Sequence, residues 1–154
     1  MRSHPPTLHL PTPADTHALG VRIGSAARSG TVLALTGDLG AGKTALVQGL
    51  AAGLGVTSRV TSPTFVLVAV HEGGRLPLWH ADLYRLRSGE EAHGLGLAEL
   101  AAGGVLAVEW AERFPEVLPD DRLEVTLEGD VGRDVTLRAT GAAHAALLAA
   151  VLHA

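Results

Sequence analysis

The first fifty residues alternate between helix-like and strand-like spacing of apolar side chains. Leu19, Ile23 and either Ala26 or Ala27 recur at the spacing of one helix face. The sequence TPAD at 12–15 is typical of a helix start, because it offers a capping threonine, a first-turn proline and an acid three residues after the cap. The pattern therefore predicts a helix that begins here and ends at the following serine-glycine pair.

A strand and a second helix are predicted next, with glycines between them. TVLALT at 31–36 is short, apolar and partly β-branched, which is typical of a buried strand. The glycine-rich stretch 37–43 follows. Three leucines spaced four apart then predict a helix from Thr44 that ends at Gly53 or Gly55. The order is strand, glycine loop, helix.

The rest of the chain is dominated by strand-like runs. Paired runs around Gly73-Gly74 favour an antiparallel hairpin, so the sheet is expected to be mixed. An apolar run over 103–110 predicts a further buried strand, and alternating residues near the C-terminus predict a second hairpin before a short terminal helix. The remaining predicted bounds are 64–71 and 75–81 for the first hairpin, 123–130 and 133–140 for the second, and 141–154 for the helix.

Composition narrows the class of protein. The chain has 154 residues, of which 47% are apolar, so it fits a single globular domain over 1–154. A net charge of −4 argues against a protein that grips nucleic acid by itself. The absence of cysteine excludes disulfides and thiolate metal sites. No apolar leader or run of about 18 apolar residues is present, so a cytoplasmic protein without membrane association is expected.

The glycine stretch contains the only lysine among twelve basic residues. Gly37, four residues, Gly42, Lys43 and Thr44 form the P-loop signature. Glycines let backbone N–H groups converge on an anion, and the helix N-terminus adds positive potential. A lysine ammonium reaches the β- and γ-phosphates as a compact charge, and a threonine hydroxyl suits Mg²⁺. Together with its strand and helix flanks, the motif predicts a nucleoside-triphosphate site.

Such a site needs a carboxylate at the end of a neighbouring buried strand. Glu109 ends the apolar run 103–110, and Asp82 follows a strand-like run. His80 and Asp82 could instead form an H-x-D metal pair, although a packed or hydrogen-bonding His80 is the simpler interpretation. Both acids are candidates for the metal and hydrolysis roles.

A hydroxyl-rich segment lies between the loop and these acids. TSPT at 61–64 is followed by Phe65. P-loop proteins often place a nucleotide-sensing switch in this part of the chain, and Ser62, Pro63, Thr64 and Phe65 are the candidate switch. An ordinary serine-proline turn explains these residues equally well.

Four sequence blocks resemble the TsaE (YjeE) family, the small P-loop ATPases of bacterial tRNA threonylcarbamoyladenosine biosynthesis. The blocks are GDLGAGKT at 37–44, SPTF at 62–65, HADLYRL at 80–86 and VEWAER at 108–113. The similarity extends from the N-terminal helix to about Arg113 and is loose beyond it. It implies an α/β P-loop NTPase fold with three α/β/α layers around a mixed sheet that includes an antiparallel hairpin.

The resemblance also assigns roles. Lys43 and Thr44 would hold phosphate and metal, Glu109 would complete the Mg²⁺ site, and Asp82 would orient water for hydrolysis. Trp110 would lie beside the nucleotide. The implied ATP-binding residues are Asp38, Leu39, Gly40, Ala41, Gly42, Lys43, Thr44, Ala45 and Trp110. Slow ATP hydrolysis would serve the TsaD–TsaB pair, which modifies adenosine 37 of tRNA, so contact with tRNA would be indirect.

Rival functions differ in what the sequence offers them. A GTPase needs an N/T-K-x-D motif, which cannot exist because the only lysine is in the P-loop. The signature of ABC-type ATPases is also absent. A small-molecule kinase remains an alternative, with 84–91 as its lid. A non-catalytic nucleotide sensor is a third possibility, and phosphate release with and without partners or phosphoryl acceptors separates the three.

Overall fold

The computed structural model describes residues 4–37, 42–57, 60, 67–129 and 132–153. Within them lies one seven-stranded sheet, in the order β1-β7-β6-β2-β5-β4-β3. The strands are β1 (Thr7–Leu10), β2 (Thr31–Gly37), β3 (Val68–His71), β4 (Leu78–Asp82), β5 (Val105–Glu109), β6 (Leu123–Glu128) and β7 (Arg133–Ala139).

Helices cover both faces of this sheet. They are α1 (Pro13–Ala26), α2 (Lys43–Leu54), α3 (Gly89–His93), α4 (Leu97–Ala102) and α5 (Ala142–Leu152), with 3₁₀ turns at Ala111–Arg113 and Pro115–Val117. Apolar residues of α1, α2 and α5 share a core with one face of the sheet, and those of α3 and α4 share a second core with the other face. The expected three-layer α/β/α arrangement is confirmed.

The centre of the sheet is parallel and its flanks are antiparallel. β6, β2, β5 and β4 run in the same direction, whereas β7 and β1 on one side and β3 on the other run antiparallel to their neighbours. The five residues of β5 are all buried, because a central parallel strand has helices over both faces. The mixed sheet predicted from the glycine hairpin is confirmed, and the carboxyl ends of its parallel strands share one edge.

Glycines bring α1 and α2 unusually close together. Gly20 and Gly24 on α1 face Gly49 and Gly53 on α2. A Cβ on Gly49 would lie 2.1 Å from the carbonyl oxygen of His17, and the other three glycines have comparably close backbone neighbours. Larger side chains would separate the helices, so this contact fixes the position of α2, whose first residue is the single lysine.

Several predicted element bounds shift by a few residues. The capping box is present, with Thr12 and Asp15 each bonding the backbone of the other. β4 begins at Leu78 and includes Asp82, which sequence analysis placed after the strand. Within the described residues the strands of the first hairpin begin later than predicted, at Val68 and Leu78, and residues 64–66 of the predicted run lie outside the described part of the chain. β1, α3 and α4 were not predicted.

Among the described residues, no helix combines the length and the apolar character needed to cross a membrane.

Candidate functional site

Lys43 is the first residue of α2 and is only 5% exposed. Its Nζ donates a hydrogen bond of 2.9 Å to the carbonyl oxygen of Gly37, the last residue of β2. The same ammonium lies 4.3 Å from the centroid of the Trp110 ring. Gly42 precedes it with φ of +96°, a conformation that suits glycine. The ammonium is therefore held at the end of β2 by a carbonyl and an aromatic face.

Trp110 has the one positive φ, 58°, among the described non-glycine residues. It comes directly after β5, and its ring centroid lies 4.9 Å from that of Tyr84. A left-handed conformation costs a bulky residue roughly 1–3 kcal/mol, and such residues cluster at functional sites. The turn directs the indole toward Lys43.

Glu109 and Asp82 end neighbouring parallel strands. Asp82 of β4 pairs in register with Glu109 of β5, and Glu109 pairs with Leu35 of β2 on its other side. Glu109 is 5% exposed. Because β2, β4 and β5 are parallel, both acids lie at the edge of the sheet where the glycine loop begins. The structure thus brings together the two carboxylates that sequence analysis selected.

The two carboxylates have different surroundings. Asp82 is half-buried, and its Oδ1 accepts a hydrogen bond of 2.9 Å from the backbone N–H of Tyr84. Burial raises the pKa of Asp82 above its ordinary value, and the negative charge of Glu109 adds to the rise, whereas the Tyr84 N–H and Lys43 act to lower it. A carboxylate with a raised pKa is better suited to accept a proton than an ordinary surface acid.

His80 is fully buried in β4 and bonds directly to Glu109. Its Nε2 lies 2.6 Å from Oε2 of Glu109. The interpretation of His80 as a hydrogen-bonding strand residue is confirmed. The alternative metal pair has no support in the described ranges, where no three His, Cys, Asp or Glu side chains cluster. Sequence analysis missed the partner, because His80 pairs with Ala107 in the neighbouring strand and only cross-strand register shows that Glu109 is in reach.

A cavity of about 200 Å³ lies on the other side of β2 from these acids, beside Gly42. Thr16 of α1 is completely buried in its wall, and its Oγ1 has no hydrogen-bond partner within the described ranges. The Nη1 atom of Arg133 donates to the carbonyl oxygens of Gly129 and Gly132 at 2.7 and 2.8 Å. The lining residues are Pro11, Thr12, Pro13, Thr16, Gly42, Gly132 and Arg133. Nothing in the sequence pattern signalled this cavity.

The donor set at the carboxyl edge fits Mg²⁺. Thr44 follows Lys43 in the first turn of α2 and offers a hydroxyl, and Glu109 and Asp82 offer carboxylate oxygens. Mg²⁺ prefers hard oxygen ligands, and a few protein oxygens suffice because phosphates and water complete its shell. Ala45, also in this turn, is half-buried. The predicted loop residues Asp38–Ala41 and the candidate switch Ser62–Phe65 lie outside the described residues.

Comparison with known proteins agrees with these observations. Residues 10–135 match the family model described as "Threonylcarbamoyl adenosine biosynthesis protein TsaE". A TsaE protein of Bacillus subtilis (strain 168) is 44% identical over 132 residues, which is 84% of this chain and 82% of that protein. A TsaE protein of Treponema pallidum (strain Nichols) is 43% identical over 126 residues, covering 80% and 93% respectively.

A solved structure supports the same relationship. The crystal structure of Bacillus subtilis YdiB superposes with a TM-score of 0.84 and 34% identity, over 99% of this chain and 98% of the other. The family match spans most of the chain, and both relatives are described as "tRNA threonylcarbamoyladenosine biosynthesis protein TsaE". The chain belongs to the TsaE family.

Proposed function

We propose that this protein binds ATP with Mg²⁺ and hydrolyses it slowly, as a component of tRNA threonylcarbamoyladenosine biosynthesis that acts with TsaD and TsaB. One observation carries the proposal: the only lysine of the chain is buried at the N-terminus of α2, with two carboxylates at the ends of the adjacent parallel strands. This combination suits phosphate binding and metal-assisted hydrolysis. The names of the similar proteins support the pathway.

The first turn of α2 binds the phosphates. In the structure Lys43 Nζ is held by the Gly37 carbonyl and the Trp110 ring, two contacts that a phosphate would replace. Backbone N–H groups from Gly42 onward and the helix N-terminus add donors that need no side chain. Thr44 and Glu109 would hold Mg²⁺, which neutralises phosphate charge when bound.

Hydrolysis is assigned to Asp82. Burial raises the pKa of Asp82, and the charge of Glu109 adds to the rise, so the group is suited to accept a proton from water. The hydrogen bond from the Tyr84 backbone N–H fixes one carboxylate oxygen. Asp82 therefore orients water toward the terminal phosphate, while Glu109 serves the metal.

The cavity beside Gly42 suits the nucleoside end of the nucleotide. The terminal phosphate must face Glu109 and Asp82 on the β5 side of β2, so the opposite end of the ligand extends toward β6 and β7, where the cavity lies. Arg133 offers a planar cation against which a base can stack. ATP should be preferred to GTP, because no N/T-K-x-D motif exists, and competition binding in which GTP equals ATP would contradict this.

Association with partners is favoured over direct tRNA binding. A net charge of −4 leaves few basic groups to neutralise phosphates of a nucleic acid. We expect the purified TsaD–TsaB pair to be captured by this protein in an ATP-dependent way, through the Ser62–Phe65 switch. tRNA should bind weakly or not at all to the protein alone.

The experiment combines three measurements. ATP affinity is measured with and without Mg²⁺, phosphate release is measured alone and with the partner pair, and capture of that pair is compared under ATP, ADP and no nucleotide. Lys43→Ala should abolish nucleotide binding and capture, and Lys43→Arg should also fail, since a guanidinium is wider than an ammonium. Arg138→Ala, which removes a charge from a side chain that is 65% exposed, is the matched control and should behave as wild type. Tight tRNA binding without nucleotide-dependent capture would overturn the proposal.

The small-molecule kinase alternative receives no support from the segment that would form its lid. Leu83 and Leu86, which flank Tyr84 and Arg85, are buried in the core, and Ser88 caps α3. Phosphate transfer to an added small-molecule acceptor, in place of release, would nevertheless favour a kinase.

A further inference from the structure

We propose that His80 is a positioning residue for the metal site: it holds Oε2 of Glu109 so that the other carboxylate oxygen, Oε1, faces the nucleotide-bound Mg²⁺. The inference rests on the proposed ATPase function and adds a residue to it. His80 sits in the middle of β4 with no exposed surface, and its Nε2 is 2.6 Å from Oε2 of Glu109.

The hydrogen-bond direction follows from chemistry. An ionised carboxylate only accepts, so Nε2 of His80 carries the hydrogen and donates the hydrogen bond to Oε2 of Glu109. The other ring nitrogen, Nδ1, is buried and has no hydrogen-bond partner among the described residues. Among the hydrogen bonds seen in the described chain, the ring of His80 therefore makes one polar contact, and that contact is with Glu109.

A purely structural role explains this arrangement poorly. A buried polar atom without a partner lowers stability, and the apolar core around β4 would accommodate a hydrocarbon side chain. The position carries that cost while supplying a donor to a carboxylate at the candidate site. We conclude that the donor itself is what this position provides.

The donor acts by restricting Glu109. A glutamate side chain has several rotamers, and either oxygen could face a metal. With Oε2 hydrogen-bonded to a buried ring, the carboxylate is held in one orientation and Oε1 is the oxygen directed to the metal, which suits the strict octahedral geometry of Mg²⁺. Loss of a hydrogen bond to a ligating carboxylate typically costs about 10- to 100-fold in metal affinity.

Two substitutions separate donation from packing. His80→Gln keeps an N–H donor near the position of Nε2, and His80→Leu fills similar space without a donor. His71→Leu is the control, because His71 lies on the adjacent strand with its ring centroid 6.5 Å from that of His80 but is not hydrogen-bonded to Glu109. ATP affinity is measured by calorimetry at a series of Mg²⁺ concentrations. The quantity compared between variants is the Mg²⁺ concentration at which half of the Mg²⁺-dependent increase in ATP affinity is reached. Mn²⁺ binding followed by electron paramagnetic resonance gives a readout that is independent of hydrolysis.

We expect His80→Leu to need about 10- to 100-fold more Mg²⁺ and to bind Mn²⁺ correspondingly more weakly. Its ATP affinity in EDTA should be unchanged, and any fall in its urea midpoint, caused by the Glu109 oxygen that loses its donor, should be smaller than the fall in His144→Leu, which removes the partners of two groups. His80→Gln and His71→Leu should remain within a few-fold of wild type. Wild-type Mg²⁺ dependence in His80→Leu would overturn the inference alone, as would equal impairment of the Gln and Leu variants with a parallel loss of stability. Failure of the wild-type protein to bind ATP would instead overturn the proposed function and this inference with it.

Discussion

Two buried histidine–carboxylate pairs lie at different parts of the sheet and differ in how completely they are hydrogen-bonded. His80 and Glu109 are 2.6 Å apart at the carboxyl edge of the parallel strands. His144 and Asp121 are 2.7 Å apart near the opposite edge, where α5 meets the start of β2. Both histidines are at most 3% exposed.

The second pair has all its ring atoms satisfied. Nδ1 of His144 bonds Oδ1 of Asp121, and Nε2 accepts the backbone N–H of Val32 at 2.8 Å. Asp121 also accepts the backbone N–H groups of Ala143 and His144 at 3.0 and 3.1 Å, which caps α5. This pair therefore joins the terminal helix to the central strand, and both ring nitrogens and both carboxylate oxygens make hydrogen bonds within the fold.

The contrast shows how a histidine–carboxylate pair that stabilises the fold can be distinguished from one that orients a side chain of a functional site. A pair that serves the fold should have every donor and acceptor paired, because unsatisfied groups lower stability. In the first pair Nδ1 of His80 lacks a partner within the part of the chain that the structure describes, and nearby Trp110 has a left-handed backbone. Both features are unfavourable for folding, and both adjoin the candidate site.

The largest expected effect concerns the candidate site, which includes the His80–Glu109 pair. Asp82→Ala should retain ATP binding and lose about 10²- to 10⁴-fold in hydrolysis, the usual contribution of a positioned acid–base group. Glu109→Ala should instead weaken Mg²⁺-dependent binding as well as turnover. ATP calorimetry and single-turnover phosphate release measure the two effects separately. The reversed pattern would exchange the two roles and leave the site where it is.

Sequence analysis predicted these acids because their signals are local. Glu109 ends an apolar run, Asp82 follows one, and the glycine-rich motif around Lys43 is contiguous in sequence. It could not predict which side chains meet across strands. The His80–Glu109 contact depends on the register of β4 and β5, and the His144–Asp121 contact joins residues 23 apart through a helix cap.

The missed elements have physical reasons as well. β1 has four residues between prolines, too few for a period of two to be distinguished from chance. α3 and α4 have five and six residues, less than two turns each, so they show no helical periodicity. The close approach of α1 and α2 was missed, because glycine weakens an isolated helix and the sequence does not show that the glycines of one helix face those of the other.

The second prediction concerns the His144–Asp121 pair, which stabilises the fold. His144→Leu should lower the free energy of unfolding by about 2–4 kcal/mol, because it leaves the Val32 N–H without its acceptor and Asp121 without its ring donor. ATP affinity should be unchanged. Urea unfolding of this variant beside His80→Leu measures the difference directly. If His80→Leu is destabilised as much as His144→Leu, the functional distinction between the pairs fails.

The smallest expected effect is a difference in the sign of pH dependence between two carboxylates. Partial burial acts to raise the pKa of Asp121, but the His144 ring and the N–H groups of Ala143 and His144 outweigh it, so the pKa is lowered. Stability from Asp121 is then fully present above the pKa of an ordinary aspartate and is lost as the pH falls through the lower folded value. The pKa of Asp82 is raised, chiefly by burial, so its ionisation opposes folding and acidification relieves that cost.

Urea unfolding of wild type, Asp121→Asn and Asp82→Asn from about pH 2.5 to about pH 7, the range in which carboxylates titrate, measures both signs. At neutral pH Asp121→Asn should be less stable than wild type by at most about 1 kcal/mol, since the side chain is 39% exposed and solvent screens its interactions. The deficit should vanish at the acid end.

Asp82→Asn should be as stable as wild type or slightly more stable at neutral pH, because it removes a carboxylate whose ionised form is disfavoured by burial and by Glu109. A neutral-pH loss in Asp82→Asn that matches the loss in Asp121→Asn would mean that both carboxylates serve the fold, and the contrast between the two ends of the sheet would not hold.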